Sequence, residues 1–223
     1  RFEGNQAAFG GALAIYRRRA NALVECDFSD NYASSEGGAL FFQFAEGSFD
    51  RCWFWGNDAG GDGALVSSRW YDAGTSSTVG NGVCSFYDSL AFLNGGSDSP
   101  SAVLFTQYDA NSRYQETFLR WWNCTIMNNA QSGVTFMGSV TDVKNSIIWG
   151  NDGAFAAGTY NCFPGGTGTN IAAHPLVADP IGFDFSLLPD SPCIDAGTGT
   201  DTDGSVADIG ARFDLNRVDC NGD

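Results

Sequence analysis

The sequence repeats a unit that runs from a phenylalanine, through an asparagine three residues later, to a Gly-Ala-Leu run. The first three copies place their asparagines 26 residues apart. These copies carry, in order, Phe2 and Asn5, Phe28 and Asn31, and Phe54 and Asn57. A period between about 20 and 50 residues is typical of a solenoid, in which each unit buries its apolar face only by stacking on the next one.

The alignment extends to a cysteine two residues before the phenylalanine and to further units downstream. In those units Ser89 takes the place of the asparagine, and Ile126 and Ile148 take the place of the phenylalanine. On this alignment the units step by 26, 26, 32, 40 and 22 residues. We therefore predict three ladders of stacked side chains: Cys26, Cys52, Cys84 and Cys124; Phe2, Phe28, Phe54 and Phe86; and Asn5, Asn31, Asn57, Asn129 and Asn151. Stacking of identical side chains explains these columns without a catalytic or metal-binding role.

The spacing inside each unit favours strands and turns. Cys-x-Phe has period two, as in a strand with both residues on one face, and the asparagine follows as a turn residue able to adopt left-handed geometry. No stripe of period 3.6 is present. We predict an all-β fold with parallel β-helix coils over residues 1–151, a C-terminal cap over 152–213 and an acidic tail or linker over 214–223.

The charge of the chain argues against one class of function, nucleic-acid binding. The formal net charge is −15, and Lys144 is the only lysine. Nucleic-acid binding is disfavoured because it needs a cationic face. The one basic cluster, Arg17-Arg18-Arg19, is expected on a solvated loop, with an anion contact as the alternative. No apolar run of 18 residues is present, so no membrane span is predicted.

The seven cysteines divide into two groups. Those of the ladder are expected to act as small buried apolar residues. Cys162, Cys193 and Cys220 lie outside the ladder, and Cys162 with Cys193 is the disulfide pairing to test first, because both fall in the segment that closes the end of the stack. No Cys-x-x-Cys spacing occurs, which disfavours a zinc site.

The Phe-x-x-Asn-x-Ala and Gly-Gly-Ala-Leu elements resemble the right-handed parallel β-helix proteins of the pectin-lyase-like superfamily, and especially the repeats of chlamydial polymorphic outer-membrane proteins. An ordered series of further motifs is similar to the C-terminal segment of bacterial β-helix proteins with a choice-of-anchor-Q domain. That series comprises Asn145–Asn151, His174–Leu176, Asp179-Pro180, Ser191–Gly197 and Ala207–Ala211. The resemblance implies a right-handed β-helix in a secreted or surface-displayed bacterial protein.

Related folds include polysaccharide lyases and glycosidases, so an enzyme acting on an acidic polysaccharide is the alternative. The paired-aspartate motifs Asn-Thr-Asp and Gly-Asp-Asp are absent. The single histidine, His174, precedes a proline and is expected to serve a turn. The candidate lyase cluster is Arg113 with Asp109, Tyr114 and Glu116, within the inserted residues 98–120.

Two Asp-rich loops are candidates for calcium. Asp201-x-Asp203-Gly204 and Asp219-x-Asn221-Gly222-Asp223 place alternate oxygen ligands around a glycine turn, as calcium loops do. Both lack the distal glutamate of an EF-hand, and Asp-Gly pairs also form ordinary turns.

The residue after each inward phenylalanine begins an outward column. It contains Ser29 and then four large side chains, which we predict as a ligand-binding stripe: Trp55, Tyr87, Met127 and Trp149. The alternative is that the C-terminal segment or another loop covers this column. The leading hypothesis is a non-catalytic extracellular or cell-surface adhesive domain that presents loops and this stripe to a glycan or protein partner. A self-assembling structural subunit is the third hypothesis.

Overall fold

The computed structural model describes residues 1–16, 19–43, 45–61, 63–70, 83–96, 104–108, 118–129, 140–151 and 158–211. Within those ranges the chain forms strands and turns and contains no helix. The all-β prediction is therefore confirmed. The described residues also include no helix with the length and apolarity to cross a membrane.

Twenty short strands follow one another through the described parts of the chain. The first ten are β1 (Phe2–Glu3), β2 (Gln6–Phe9), β3 (Leu13–Tyr16), β4 (Arg19–Val24), β5 (Asp27–Ser29), β6 (Tyr32–Glu36), β7 (Leu40–Gln43), β8 (Glu46–Asp50), β9 (Trp53–Trp55) and β10 (Asp58–Ala59). The second ten are β11 (Val66–Trp70), β12 (Val83–Tyr87), β13 (Leu90–Phe92), β14 (Leu104–Tyr108), β15 (Phe118–Trp122), β16 (Thr125–Met127), β17 (Val140–Lys144), β18 (Ile147–Trp149), β19 (Val177–Asp179) and β20 (Asp184–Leu187).

These strands build four parallel sheets in which neighbours come from successive coils of the chain. Sheet 1 has the order β1-β5-β9-β13-β16-β18, and sheet 2 has the order β10-β6-β2. Sheet 3 is ordered β14-β11-β7-β3, and sheet 4 is ordered β17-β15-β12-β8-β4. Each of the first three coils thus contributes one described strand to each sheet in turn, and the later coils add strands to sheets 1, 3 and 4, which is consistent with a β-helix. The hairpin β19–β20 is antiparallel and separate.

The inward side of sheet 1 carries the phenylalanine column in its first three coils. Phe2 pairs with Phe28 and Phe28 with Phe54, and the rings stack with centroids 4.7 and 4.8 Å apart. Ala91, Ile126 and Ile148 continue the column. These rings join one apolar core that reaches from coil to coil.

Phe86 does not belong to that column, so this part of the predicted alignment is wrong. It lies on β12 in sheet 4, between Phe49 and Trp121, at centroid distances of 5.0 and 4.0 Å. Cys84 and Phe86 reproduce the Cys-x-Phe spacing by coincidence on β12, the strand that precedes the sheet 1 strand β13. The true column residue, Ala91, is small and carries no ring to mark its place.

An asparagine ladder runs along the corner after sheet 1. Its six members are Asn5, Asn31, Asn57, Asn94, Asn129 and Asn151. Each amide nitrogen donates to the next amide oxygen at 2.8 to 3.0 Å, and that oxygen also accepts the backbone N–H of the previous asparagine. Successive rungs are separated by 26, 26, 37, 35 and 22 residues of chain. The predicted place of Ser89 in this ladder is wrong, and Asn94 occupies it.

The cysteine column marks the opposite end of the sheet 1 strands, at the corner that follows sheet 4. Cys26, Cys52 and Cys124 donate their thiols to the carbonyl two residues earlier, at 3.2 to 3.4 Å. Ser89 and Ser146 do the same with hydroxyls. The column therefore selects a side chain with a short donor, which is why both cysteine and serine occur in it.

Cys84 lies outside the cysteine column, contrary to the prediction. It points inward from β12, where it pairs with Gly47 and Leu119. Burial raises the pKa of its thiol, and the pKa of the Cys124 thiol is likewise raised chiefly by burial. Cys84 is thus a buried small side chain, as predicted for the ladder cysteines, but it lies on sheet 4.

Left-handed residues stand before both columns. At the asparagine corner the positive φ belongs to the residue before each asparagine, such as Asp30, Leu93 and Asn128 with φ of 53°, 50° and 51°. The asparagines themselves supply hydrogen bonds and do not adopt the left-handed geometry predicted for them. Leu93 is the unusual member, because a leucine adopts this region at a steric cost.

The C-terminal segment closes one end of the stack and then turns back along it. Cys162 bridges in parallel to Ile147 and Ile171 bridges to Cys162, so backbone covers the last coil. The four strands β1 to β4 of the first coil each lie at the edge of their sheet, so end-to-end assembly through that side stays a hypothesis. The β19–β20 hairpin and residues up to Ala211 then pack on the outward side of sheet 1. The boundaries at 151 and 213 stay predictions, and residues 214–223 lie outside the described residues.

Candidate functional site

The outward column of sheet 1 differs from the predicted stripe at one position. Trp55, Phe92, Met127 and Trp149 follow one another in register. Phe92 occupies the place predicted for Tyr87, because the same alignment error that displaced Phe86 also displaced its neighbour. The column remains apolar through all four rungs.

The C-terminal segment covers this column, so the stripe is not an open sugar-stacking surface. Phe183 contacts Trp55 and Phe92 edge-on at centroid distances of 5.4 and 5.9 Å, and His174 lies 5.2 Å from Trp149. Phe92 and Met127 are buried. Burial of a continuous apolar column against an apolar hairpin is the favourable outcome in water, and it overturns the exposed-stripe prediction.

Phe183 and Phe185 are the residues that the sequence analysis missed. Phe185 is buried against Trp53 and Phe92, with centroids 6.1 and 5.2 Å away. The alternation Phe183-x-Phe185-x-Leu187 has the period of a strand with one apolar face. That face required an apolar partner, and the outward column was the one available.

Tyr87 belongs to a separate group on the outward side of sheet 4. Its ring meets Trp122 edge-on at 5.8 Å, and its hydroxyl accepts a hydrogen bond from Arg120 at 3.3 Å. The Arg120 guanidinium lies 4.9 Å from the centre of the Trp122 ring, and Lys144 lies 5.9 Å from it. Arg120 also pairs with Asp142 at 3.4 Å, so the group is held together by its own contacts.

A cleft of about 750 Å³ lies between the C-terminal segment and the coil corners beside it. Its apolar lining includes Trp53, Phe183, Phe185, Leu187 and Ile209. Its ionisable lining consists of Arg51, Asp88, Asp184, Asp201, Asp203 and Asp208. The cleft is therefore an acid-rimmed, aromatic-floored depression of the size that small-molecule sites occupy.

Arg51 contributes little positive charge to the cleft because its guanidinium is already paired. It contacts Glu25 at 3.0 Å and Asp50 at 2.9 Å, and these partners raise its pKa. The five aspartates that line the cleft therefore give it a strongly negative potential.

Two of the cleft carboxylates are fixed in the ionised form by serine neighbours. Asp184 accepts from the hydroxyl and backbone N–H of Ser186 at 2.6 and 3.0 Å, and Asp203 accepts the same pair from Ser205 at 2.7 and 2.9 Å. These hydrogen bonds lower the pKa of both carboxyls from the ordinary aspartate value. A glycosidase acid needs a raised pKa, so neither carboxyl suits that role.

The first candidate calcium loop is occupied by local turn contacts. Asp201 accepts the backbone N–H of Asp208 at 3.1 Å, and Asp203 closes its turn onto Ser205. Across the described ranges, no group of three His, Cys, Asp or Glu side chains is arranged to hold a metal ion. The second loop, with Asp219, Asn221 and Asp223, lies outside the described residues, and calcium binding stays a prediction.

The lyase candidate, Arg113 with Asp109, Tyr114 and Glu116, lies outside the described residues, as do Arg17 and Arg18. His174 is described, and its Nδ1 accepts the backbone N–H of Leu176 at 3.0 Å. This contact stabilises the turn that contains Pro175.

Cys162 and Cys193 are brought together. Both are free thiols, fully buried and beside each other in the second apolar cluster. The Cys162 thiol donates to the Ala173 carbonyl at 3.2 Å. One cysteine stands at the end of the coil stack and the other in the segment that folds back over it.

Comparison with known families identifies one repeat. Residues 25–43 match the Chlamydia polymorphic membrane protein repeat. The matched segment contains Phe28, Asn31 and the run Gly37-Gly38-Ala39-Leu40. Searches among curated proteins and among solved structures found no match. The repeat match and the stacked parallel strands fit a protein of this repeat type, and they suggest a bacterial outer-membrane or cell-surface location.

Proposed function

We propose that this chain is a non-catalytic structural and adhesive domain of a bacterial surface protein, which holds a basic segment of a protein partner in its acid-rimmed cleft. The cleft carries the proposal. It joins an aromatic floor to a rim of aspartates, and a lysine or arginine side chain presents the matching groups: an apolar stem and a cationic head.

The scaffold supports this role. We infer a right-handed parallel β-helix, because parallel crossovers in one sheet are right-handed in about 98% of cases. The cleft lies at the corner where side chains of the cysteine column bond carbonyls two residues earlier, and these contacts restrain that corner. A rigid support reduces the ordering cost of binding.

The resemblance to the pectin-lyase-like superfamily and to choice-of-anchor-Q segments belongs to the same proposal. It favours secretion or surface display. Accessibility to an added protease on intact cells would test that location, separately from any ligand.

The binding experiment uses a fluorescein-labelled tetralysine peptide and measures fluorescence anisotropy at low salt. The test variant is D184N/D203N, in which each asparagine retains the oxygen that accepts from Ser186 or Ser205. The matched control is D179N/D190N, which removes the same charge from exposed positions that do not line the cleft. We expect the test variant to bind about tenfold more weakly and the control to bind like wild type.

Salt separates the two kinds of partner. Binding of a basic segment weakens steeply between low and high ionic strength, because exposed charges are screened. A glycan partner, which would stack on Trp53 and Phe183, predicts binding that is insensitive to salt and to D184N/D203N. Equal affinity for tetralysine and tetraglutamate would contradict the proposal.

A further inference from the structure

The backbone of Cys162 is part of the end of the coil stack. Its N–H donates to the Ser146 carbonyl at 2.9 Å, and its carbonyl accepts from the N–H of Ile148 at 2.8 Å. The backbone of Cys162 therefore pairs in parallel with Ile147 of the last coil, as the strands of successive coils pair with one another.

Cys193 is fixed from the other side. Its N–H donates to the Ser191 hydroxyl oxygen at 3.2 Å, and its carbonyl accepts from the N–H of Ile209 at 2.9 Å. Ser191 in turn donates to the Pro175 carbonyl. Two separately anchored stretches of backbone thus meet at one pair of sulfur atoms.

We propose that Cys162 and Cys193 form a disulfide bond that fastens the folded-back C-terminal segment to the end of the coil stack. The bond closes a loop that contains the whole β19–β20 hairpin. It therefore holds Phe183 and Phe185 over the outward column and keeps the wall of the cleft in place. The proposal uses the surface location proposed above only as the source of an oxidising environment.

The other described thiols either donate hydrogen bonds within a corner of the coils or are enclosed in the core. Cys26, Cys52 and Cys124 each donate to a carbonyl of their own corner, and serine performs that task in the intervening rungs. Cys84 is enclosed in the core between Gly47 and Leu119. Cys162 and Cys193 instead lie fully buried beside each other in the second apolar cluster, on the two stretches of chain that meet there.

The bond forms before the segment closes, because both sulfurs are fully buried in the folded protein and an oxidant reaches them only in the open chain. In the open chain, one thiolate attacks the disulfide of an oxidant such as oxidised glutathione, and one glutathione leaves as its thiol. The second thiolate attacks the mixed disulfide and releases the second glutathione. The protein loses two protons and two electrons, and the oxidant disulfide becomes two thiols.

The test maps the bond in the whole chain after refolding with a mixture of reduced and oxidised glutathione. Trypsin does not separate the two cysteines, because no lysine or arginine lies between them. Cleavage before aspartate releases Cys162 in the peptide 152–178 and Cys193 in the peptide 190–194. We expect these two peptides to be linked, with the link lost on reduction.

Thiol counting under denaturing conditions gives the second measurement. Of the seven cysteines, five are expected to react with a maleimide reagent in the refolded wild type. C162S and C193S each free one partner, so each has six reactive thiols. The matched control is C26S, which retains the bond and has four. Serine is acceptable at position 26 because Ser89 and Ser146 already occupy that column.

Seven reactive thiols in the refolded wild type, or a link from either cysteine to Cys220, would overturn the proposal. If a serine variant does not fold, the peptide map of the wild type still decides. Neither measurement depends on ligand binding, so failure of the cleft proposal leaves this result intact.

Discussion

Asn145 and Thr198 exchange two hydrogen bonds, both 2.9 Å long, across the join between the coil stack and the C-terminal segment. The amide nitrogen of Asn145 donates to the Thr198 carbonyl, and the Thr198 N–H donates to the amide oxygen. The Asn145 carbonyl also accepts from Gly210 at 2.8 Å. One side chain therefore supplies both halves of a backbone-like rung and fixes the position of the segment on the stack.

Replacing Asn145 by alanine should weaken this join. Asn145 is buried, and its loss leaves the Thr198 N–H and carbonyl without their partner. We expect the free energy of unfolding to fall by about 2 kcal/mol. Hydrogen exchange at the Thr198 amide should accelerate at the same time.

The control for that variant is T198A, because only backbone atoms of Thr198 take part in the exchange. Its amide should exchange as in wild type. Faster exchange in T198A than in N145A would contradict the assignment.

Replacing Asn94 by aspartate should be more harmful than replacing it by alanine. The Asn94 amide nitrogen donates to the carbonyls of Phe54 and Phe92 and to the amide oxygen of Asn129. A buried carboxylate would face these acceptors with no proton to donate, at a cost of about 3–5 kcal/mol in unfolding free energy.

That cost should depend on pH. Burial raises the pKa of the introduced carboxyl above its unfolded value, so the penalty is full above the folded pKa and declines as the pH falls through it. Urea denaturation of N94D and N94A at neutral and acidic pH measures the difference. A pH-independent gap between the two variants would contradict this account.

Replacing Leu93 by asparagine should stabilise the protein. Leu93 is half-exposed and has a φ of 50°, whereas Asn128 occupies the equivalent position one coil later. Relief of left-handed strain is worth about 1 kcal/mol. Thermal denaturation should show a higher midpoint for L93N and no rise for L93A, because alanine keeps the strain.

The cleft carboxylates should make stability fall in acid. The pKa of Asp184 and that of Asp203 are lowered in the folded protein, so their contribution is complete above the unfolded pKa of about 4 and is lost as the pH falls through the folded pKa. NMR titration of the two carboxyls measures the shifts. S186A should raise the pKa of Asp184 and leave that of Asp203 unchanged.

The sequence predicted the first three rungs of sheet 1 well, because the two coils that separate them have equal length. Phe2, Phe28 and Phe54 recur with their asparagines at a fixed interval, so one alignment served all of them. The third coil broke the alignment, since it is longer and repeats Cys-x-Phe on its strand in sheet 4. The remaining signal was Ala91 followed three residues later by Asn94, which is the phenylalanine-to-asparagine spacing without the ring.

The covered stripe could not be predicted from the repeat alone. Periodicity assigns an inside and an outside to a strand, but it does not say which distant segment packs on the outside. Phe183 and Phe185 reach Trp55 and Phe92 by tertiary packing. Cys162 and Cys193 meet for the same reason, and their pairing was predicted because a closing segment must return to the end it closes.

The rungs of the asparagine ladder keep their hydrogen bonds although the chain between them varies from 22 to 37 residues. In the second coil the step from sheet 3 to sheet 4 runs only from Gln43 to Glu46, whereas in the third and fourth coils it runs from Trp70 to Val83 and from Tyr108 to Phe118. Length has thus been added at the corner between those two sheets, away from the ladder. That corner is where a foreign epitope or a reporter peptide can be grafted without disturbing the stacking order, and where related chains can diversify while the scaffold stays the same.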